Sequence, residues 1–551
     1  MPWTFAVALD RLQAQPQVVK LSPRQIAMFD VEGQIYAIDN RCPHEGYPLV
    51  KGSIDESCVL TCNWHNWKFQ LADGECILGG DHVRSYPVEV RGTEVWVNTD
   101  DPPRDVLEPQ ILLGLKSAFA QRDFGRICRE IARLQFNGID ATTSICEALE
   151  WSYERLEFGF THAFAVAPDW LELSSQHDGD FSKQLICLAE SVDHMAWDVL
   201  RHREYPYASS ATELDAGFDE SRFVQAVEAQ ELERAESLAA ASVAANIGPR
   251  RWDEVEHAFA TAALAHYNDF GHSLIYVYKT SQLQAQLGEA SQRPLRLALA
   301  RHLVYTTRED LVPEFSGYAE AVVRLAKTSL RSTPEGPALD GATSGGAAPT
   351  RDDLEPPFPA SVRTALDWVL NACKSHPIDV VYDRLLLALA QNLLHFDLSV
   401  DQATHRPVSD NVGWLDFTHG VTFANAVRGI CERHPDLWGA GLLQMALFVG
   451  RNHAYIDPTL DTTRWQVDDE AKFFADLDDR LLDHGQRDPI FSAHFVKTTL
   501  AIREELPHAS NECRSVLLAG LHRFHASPIK QKHARRLARQ ALELVQRDFA
   551  D

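Results

Sequence analysis

Two short stretches near the start of the chain hold residues that bind metal: Cys42-Pro43-His44 and, after 17 intervening residues, Cys62-Asn63-Trp64-His65. Each supplies one thiolate and one imidazole. Two thiolates on one iron and two imidazoles on the other is the ligation of a [2Fe–2S] centre, which exchanges single electrons. The same residues could instead hold one zinc ion tetrahedrally. Structural zinc sites usually pair cysteine with cysteine and histidine with histidine, whereas each stretch here mixes them, which favours iron and sulfur. His44 and His65 would then be neutral ligands, each with one ring nitrogen facing outward as an electron exit.

The flanks supply a small antiparallel β domain to hold these loops. Residues 25–40 read as two short strands around Glu32-Gly33. Tyr86, Val88 and Val90, then Val95 and Val97, alternate around Arg91-Gly92 as a second hairpin. Residues 100–103 (DDPP) end the domain. The run 42–49 (CPHEGYPL), Gly52, the run 62–69 (CNWHNWKF) and Gly74 resemble the Rieske ferredoxin family over residues 1–103. Respiratory members of that group carry an extra cysteine in each loop and a membrane anchor. Here Tyr47 and Trp64 stand at those places. The resemblance therefore implies the ferredoxin or oxygenase type, at the lower end of the Rieske potential range. Trp64 and Trp67 beside the cluster either line an electron path or shield the cluster from water.

The chain has 551 residues, so a β domain of this size leaves room for one to three more. Apolar residues at 45% and charged residues at 24% are ordinary for a globular protein. A formal charge of −26 repels nucleic acid and anionic membranes. The first ten residues have no basic region or long apolar core, and no apolar stretch approaches a membrane span. A cytoplasmic location is expected. Of ten cysteines, eight show no further paired metal spacing and read as buried thiols.

Beyond residue 104 the spacing of apolar residues becomes helical. Helices are predicted over 107–121, 124–134, 148–163, 223–240, 252–287, 295–305, 362–371, 378–395, 421–434, 442–449 and 534–546. The expected fold class is α+β multidomain: a β domain at 1–103, then one large all-α domain at 104–551. Residues 331–358 are rich in Gly, Pro, Ser and Thr and read as a flexible insertion.

Four histidines in the helical part lie among apolar and aromatic neighbours: His162, His272, His419 and His494. Any one alone is more often a hydrogen-bonded core residue than a ligand. Lys497 follows His494 by three residues, on the same helix face. Buried there, its amine is neutral and can take up carbon dioxide as a carbamate, an anionic oxygen ligand. The plain alternative is a lysine that lays its stem along the surface and keeps its charge in water. Rival constellations are Glu254 with His257, the Glu-x-x-His unit of di-iron sites, whose only counterpart, Glu505 with His508, is broken by Pro507. Glu190 with His194 could join a two-His-one-carboxylate site. His395, Asp397 and His453 read as structural. The basic tail (His522, His525, Lys530, Lys532, His533, Arg535, Arg536) reads as a face docked on an acidic body.

Over residues 148–504 the helical part resembles the questin oxidase-like family of fungal and bacterial polyketide pathways. The resemblance rests on the early histidine, Gly271-His272, Phe417-Thr418-His419 and His494 with Lys497. Members are non-haem iron oxygenases acting on anthraquinone-type rings, some holding iron with four histidines and a carboxylated lysine. The resemblance implies a mononuclear Fe(II) held by His162, His272, His419, His494 and carboxylated Lys497. This chain departs from the family in carrying its own Rieske domain and in long spacers around 215–250, which leaves the substrate class open. The expected function is electron transfer from an external reductase or ferredoxin reductase, through the cluster, to an iron that activates dioxygen on a small aromatic, polyketide-like substrate. A non-catalytic electron carrier and a redox sensor, each binding a partner through its helical body, are the rival readings. No nucleic-acid or membrane partner is expected. Transfer between neighbouring subunits of a homo-oligomer stays open.

Overall fold

The computed structural model describes residues 3–201, 217–244, 249–328, 330, 354–357 and 361–547. It divides into two compact units, Met1–Ser144 and Ile145–Asp551. This division falls later than residue 103, so two helices that the sequence assigned to the all-α domain group with the β strands instead.

The N-terminal unit runs β1 (Trp3–Ala8), α1 (Leu9–Ala14), β2 (Gln17–Leu21), β3 (Arg24–Val31), β4 (Gln34–Asp39), β5 (Ser53–Ile54), β6 (Val59–Thr61), β7 (Lys68–Gln70), β8 (Cys76–Leu78), β9 (Val88–Arg91) and β10 (Glu94–Asn98). α2 (Arg104–Gln121) and α3 (Phe124–Phe136) follow. The strands make three antiparallel sheets, β1-β10-β9, β2-β3-β4 and β5-β6-β7-β8. Val31 pairs with Gln34 across Glu32 and Gly33, both left-handed (φ 53° and 85°), the backbone that a two-residue hairpin turn requires. The metal-binding stretches are the β4–β5 and β6–β7 connections. Cys42 and Cys62 point down into a core of Ala27, Phe29, Ile38, Leu60 and Phe69.

The second unit is helical: α4 (Thr143–Tyr153) enters it, then α5 (His162–Ser175), α6 (Phe181–Arg201), α7 (Glu220–Glu228), α8 (Leu232–Ala241), α9 (Glu256–Ala265), α10 (His272–Leu287), α11 (Gln292–Tyr305) and α12 (Tyr318–Leu325). After the least-described stretch come α13 (Val362–Ser375), α14 (Ile378–His395), α15 (Leu398–Gln402), α16 (Trp414–Cys431), α17 (Trp438–Asn452), α18 (Glu470–Leu482), α19 (Pro489–Glu505), α20 (Asn511–Ala526) and α21 (Ala534–Arg547). At its centre α5 packs on α10, α10 on α16, α16 on α19 and α19 back on α5, a closed ring of four helices. These helices are buried nearly all round, which is why their sequences show no polar stripe.

The helix content agrees with the sequence reading, but three helices expected to be continuous are broken. The 148–163 stretch is interrupted between α4 and α5, and 252–287 between α9 and α10. At the first break Gly159 is left-handed (φ 78°), and a Cβ there would strike the Ala298 carbonyl. At the second, Asp269, Phe270 and Gly271 are all left-handed (φ 44°, 47° and 82°). A Cβ on Gly271 would lie 2.8–2.9 Å from the Phe423 and Phe448 rings, so tertiary packing fixes the kink against local helix preference. The 223–240 stretch divides into α7 and α8. The expected insertion at 331–358 lies outside the described residues except for 354–357, and the 215–250 spacer lies partly outside them. No helix among the described residues is long and apolar enough to cross a membrane.

Candidate metal centres

The two loops of the β unit are near copies. The Cys42 N–H donates to the Tyr47 carbonyl (2.9 Å) and the Gly46 N–H to the Cys42 carbonyl (2.7 Å). The Cys62 N–H donates to the Trp67 carbonyl (2.7 Å) and the Asn66 N–H to the Cys62 carbonyl (3.0 Å). The fourth residue after each cysteine, Gly46 or Asn66, is left-handed (φ 75° and 62°), a backbone that glycine and asparagine tolerate best. Both cysteines are buried, His44 is half-buried and His65 exposed. The two Nδ1 atoms face each other at 3.1 Å. Burial, then the neighbouring Cys62, pushes the Cys42 thiol up to about 11; a bound metal overcomes such a shift by replacing the proton. Two buried sulfurs that interact with each other and two imidazole nitrogens 3.1 Å apart, carried on paired loops, fit a [2Fe–2S] cluster with two cysteine and two histidine ligands. All ten cysteines are free thiols, so Tyr47 and Trp64 stand here without a disulfide. Their rings meet edge-on at 5.6 Å, and Trp64 stacks on His65 at 5.3 Å.

In the helical unit the ring of four helices brings its histidines together. His162 and His272 are the first residues of α5 and α10, and His419 and His494 lie within α16 and α19. Nε2 of His272 is 3.2 Å from Nε2 of His162, and Nε2 of His494 is 3.0 Å from Nε2 of His419. His162, His419 and His494 each offer a nitrogen within 4.8 Å of the others. His272 joins them edge-on, its ring centroid 4.3 Å from that of His419.

The outer nitrogens are held. The His272 Nδ1–H donates to the Asp269 carbonyl (2.5 Å) and the His494 Nδ1–H to the Ile490 carbonyl (2.6 Å), while His162 Nδ1 lies 3.4 Å from the Tyr276 hydroxyl. With the proton of His272 and His494 turned outward, their Nε2 lone pairs face inward. Burial holds His162, His419 and His494 well below the usual imidazole range and His272 down at about 4. His162 and His419 meet those lone pairs at 3.2 and 3.0 Å, each either as the N–H donor of a hydrogen bond or as a second nitrogen on a shared ion. The spacing matches two imidazoles at right angles on one ion, about 3.0 Å for metal–nitrogen bonds of about 2.1 Å. The donor set fits a transition metal such as iron.

Lys497 is 1% exposed, and its Nζ has no hydrogen-bond partner. Burial brings its amine down to about 7, against Asp169, which favours its charge. The surface-lying alternative is thus excluded. The ordinary value is 10.5, so between pH 7 and 10.5 the unfolded chain binds a proton that the folded chain has released. Burying the lysine therefore costs stability, fully below pH 7 and less and less as pH rises toward 10.5. In protein stripped of iron, Lys497→Met is expected to raise stability by about 2–4 kcal/mol near neutral pH. The gain should shrink at about pH 9.5. Thermal unfolding followed by far-ultraviolet dichroism at both pH values checks this, and an equal gain at both would contradict it.

The rival constellations are occupied elsewhere. Glu254 pairs with Arg250 and Arg251, and His257 bridges Glu220 (2.5 Å) and Asp436 (2.8 Å). Glu505 is fully buried and takes up Arg428, Asn425 and Tyr382. Glu190 pairs with His484 (3.3 Å), and His194 lies 4.0 Å from Asp198. His395 Nδ1–H donates to the Asp457 carbonyl, and Asp397 caps α15. In the tail, His522 Nδ1–H donates to the Trp465 carbonyl (3.0 Å), His525 meets Thr499 (2.9 Å) and His533 meets Asp401 (3.5 Å).

Two features escaped the sequence reading. Tyr276, fully enclosed, reaches His162, and its ring lies 4.9 Å from that of Phe160. A buried ion pair of Asp169 with Lys279 (2.7 Å) stands on α5 and α10. Asp169, Gln282, Leu500 and Arg503 help line a cavity of about 430 Å³ between α5, α10 and α19. The i, i+4 spacing of His272 and Tyr276 on one helix was the only available signal.

A family model for the Rieske [2Fe-2S] domain matches residues 2–87. The ferredoxin component of the alkene monooxygenase system of Xanthobacter autotrophicus is 29% identical over 97 residues, 17% of this chain and 80% of that protein. The ferredoxin component of the naphthalene 1,2-dioxygenase system of Pseudomonas putida is 30% identical over 99 residues, 17% of this chain and 94% of that protein. Among solved structures, the ferredoxin of carbazole 1,9a-dioxygenase from Nocardioides aromaticivorans IC177 is 26% identical, covering 18% of this chain and all of that one, with a TM-score of 0.17. The matched residues and the paired loops agree: the N-terminal domain is an electron-transferring module, and through it the chain belongs to the Rieske [2Fe–2S] ferredoxin family.

Proposed function

We propose that this chain is a self-supplied oxygenase: Cys42, His44, Cys62 and His65 hold the [2Fe–2S] cluster, and His162, His272, His419, His494 and Lys497 hold a mononuclear iron. The observation that carries this reading is the meeting of four neutral imidazoles from four helices beside an unpartnered buried amine. Bound there, iron supplies one-electron and dioxygen chemistry. The relatives named above serve alkene monooxygenase and naphthalene dioxygenase systems, which supports dioxygen as co-substrate and an unsaturated or aromatic compound as substrate. An external reductase or ferredoxin reductase supplies the electrons.

The chain's own residues have defined tasks. The Asp269 and Ile490 carbonyls fix the His272 and His494 rings. Phe160 and Tyr276 keep that side dry. Lys497, its amine brought down to about 7 and so about half neutral at pH 7, attacks carbon dioxide through its unprotonated nitrogen; a C–N bond forms, one proton is released to solvent, and the resulting carbamate supplies anionic oxygen. Iron analysis of the full-length protein tests the reading. About three irons per chain are expected, two in the cluster and one outside it. The third should reload poorly after chelation in buffer freed of carbon dioxide and recover with bicarbonate. Two irons per chain under every condition would leave a carrier or a sensor instead.

A further inference from the structure

The hairpin of α2 and α3 lies beyond residues 2–87, the stretch matched by the Rieske family model, yet it is tied to the cluster side of the β unit. Asp81 is wholly buried and takes three arginines of α3: Arg126 (2.9 Å), Arg129 and Arg133 (3.3 Å). Arg126 also donates to Ser117 of α2 (3.1 Å), and Arg133 pairs with Glu130 (2.7 Å). Immediately before Asp81 come Gly79 and Gly80, whose backbone lies against the Trp67 ring. A Cβ on Gly79 (φ 139°) would strike that ring, and one on Gly80 would lie 3.3 Å from it and 3.7 Å from the Arg126 stem. Trp67 in turn stacks on His44, with centroids 4.9 Å apart and planes 15° from parallel. One packed line thus runs from α3 through Asp81, Gly79–Gly80 and Trp67 to a cluster ligand. His65 instead stacks on Trp64, which is 58% exposed.

We propose that the α2–α3 hairpin is a working part of the electron-transfer module: its arginines, through Asp81 and Trp67, set the orientation of His44 and raise the reduction potential of the cluster. Arg126, Arg129, Arg133, Asp81 and Glu130 are positioning and field-setting residues, not ligands. The sign follows from charge. With two thiolates the oxidised cluster is neutral overall and the reduced one carries a single negative charge, so nearby arginines in excess over carboxylates favour reduction.

The test uses the full-length protein, with midpoint potential and the electron paramagnetic resonance g values of the reduced cluster as readouts. Arg126→Met keeps an apolar stem beside Gly80 and removes the charge. Arg129→Gln removes one charge at a position 31% exposed and leaves Asp81 two arginines. Both are expected to keep the cluster's visible absorbance and to lower the potential, so that at fixed ambient potential the ratio of reduced to oxidised cluster falls about threefold or more. Trp67→Leu frees the His44 ring and is expected to shift the g values. Arg91→Gln, on β9 in another sheet, serves as the charge control and should change neither. Wild-type potentials in Arg126→Met and Arg129→Gln would overturn the proposal. Should Trp67→Leu or Arg126→Met lose the cluster, the half-exposed Arg129→Gln variant decides alone.

Discussion

Replacing His272 and His494 together by alanine is expected to remove about one iron per chain and leave the [2Fe–2S] absorbance untouched. The two residues are held in different ways, one at the head of α10 behind a left-handed turn and one in mid-helix on α19. No shared local defect can therefore account for a joint loss. Each variant removes an inward-facing Nε2 and leaves an outer carbonyl that the protein can solvate or repack around. Metal affinity falls steeply when ligands are removed from a site of this kind, and the loss of even supporting groups costs about 10–100-fold. Dioxygen uptake driven by an external reductant should fall to background in the double variant, while reduction of the cluster by that reductant proceeds at the wild-type rate. Retention of all iron would mean that the imidazoles are a buried polar cluster and the N-terminal domain serves some other acceptor.

The reciprocal experiment is Cys62→Ser. A serine oxygen at neutral pH keeps its proton and cannot replace a thiolate. The residue sits 1% exposed over Leu60 and Phe69, in a core that gives a hydroxyl no partner. Nearly complete loss of visible absorbance and of about two irons per chain is expected, with the remaining iron retained in the helical unit. Coupled dioxygen consumption should stop although the helical histidines are unchanged. Metal analysis together with visible spectra separates the two variants cleanly, because each empties one centre and spares the other. If Cys62→Ser also emptied the helical unit, the two centres would not be independent.

The Rieske domain was legible in the sequence because its signature is local. Both halves fit inside two six-residue loops whose glycine, asparagine and aromatic positions are fixed by the loop's own hydrogen bonds. The helical centre is different. His162, His272, His419 and His494 could be named one by one from their apolar neighbours, but their convergence depends on which helices form the central ring, and all-round burial erases the periodicity that would order them. The breaks before His162 and His272 were read as continuous helix for the same reason. Gly159 and Gly271 look like tolerated helix glycines until the Ala298 carbonyl and the Phe423 and Phe448 rings are in place. The grouping of residues 104–136 with the strands was equally invisible, since Asp81 and its three arginines are separated by the whole of β9, β10 and α2.

The four histidines are contributed by segments at the beginning, middle and end of the helical unit, so none of them is near another until the chain has closed on itself. The ion proposed for that site would act as a rivet through the whole unit. No nascent fragment would hold all four histidines, and the ion, once in place, would staple together stretches whose separation in the open chain is costly to bridge. Under the proposed function, metal loading would then proof-read the finished body: a chain with one of these helices docked out of register would have nowhere to put the ion.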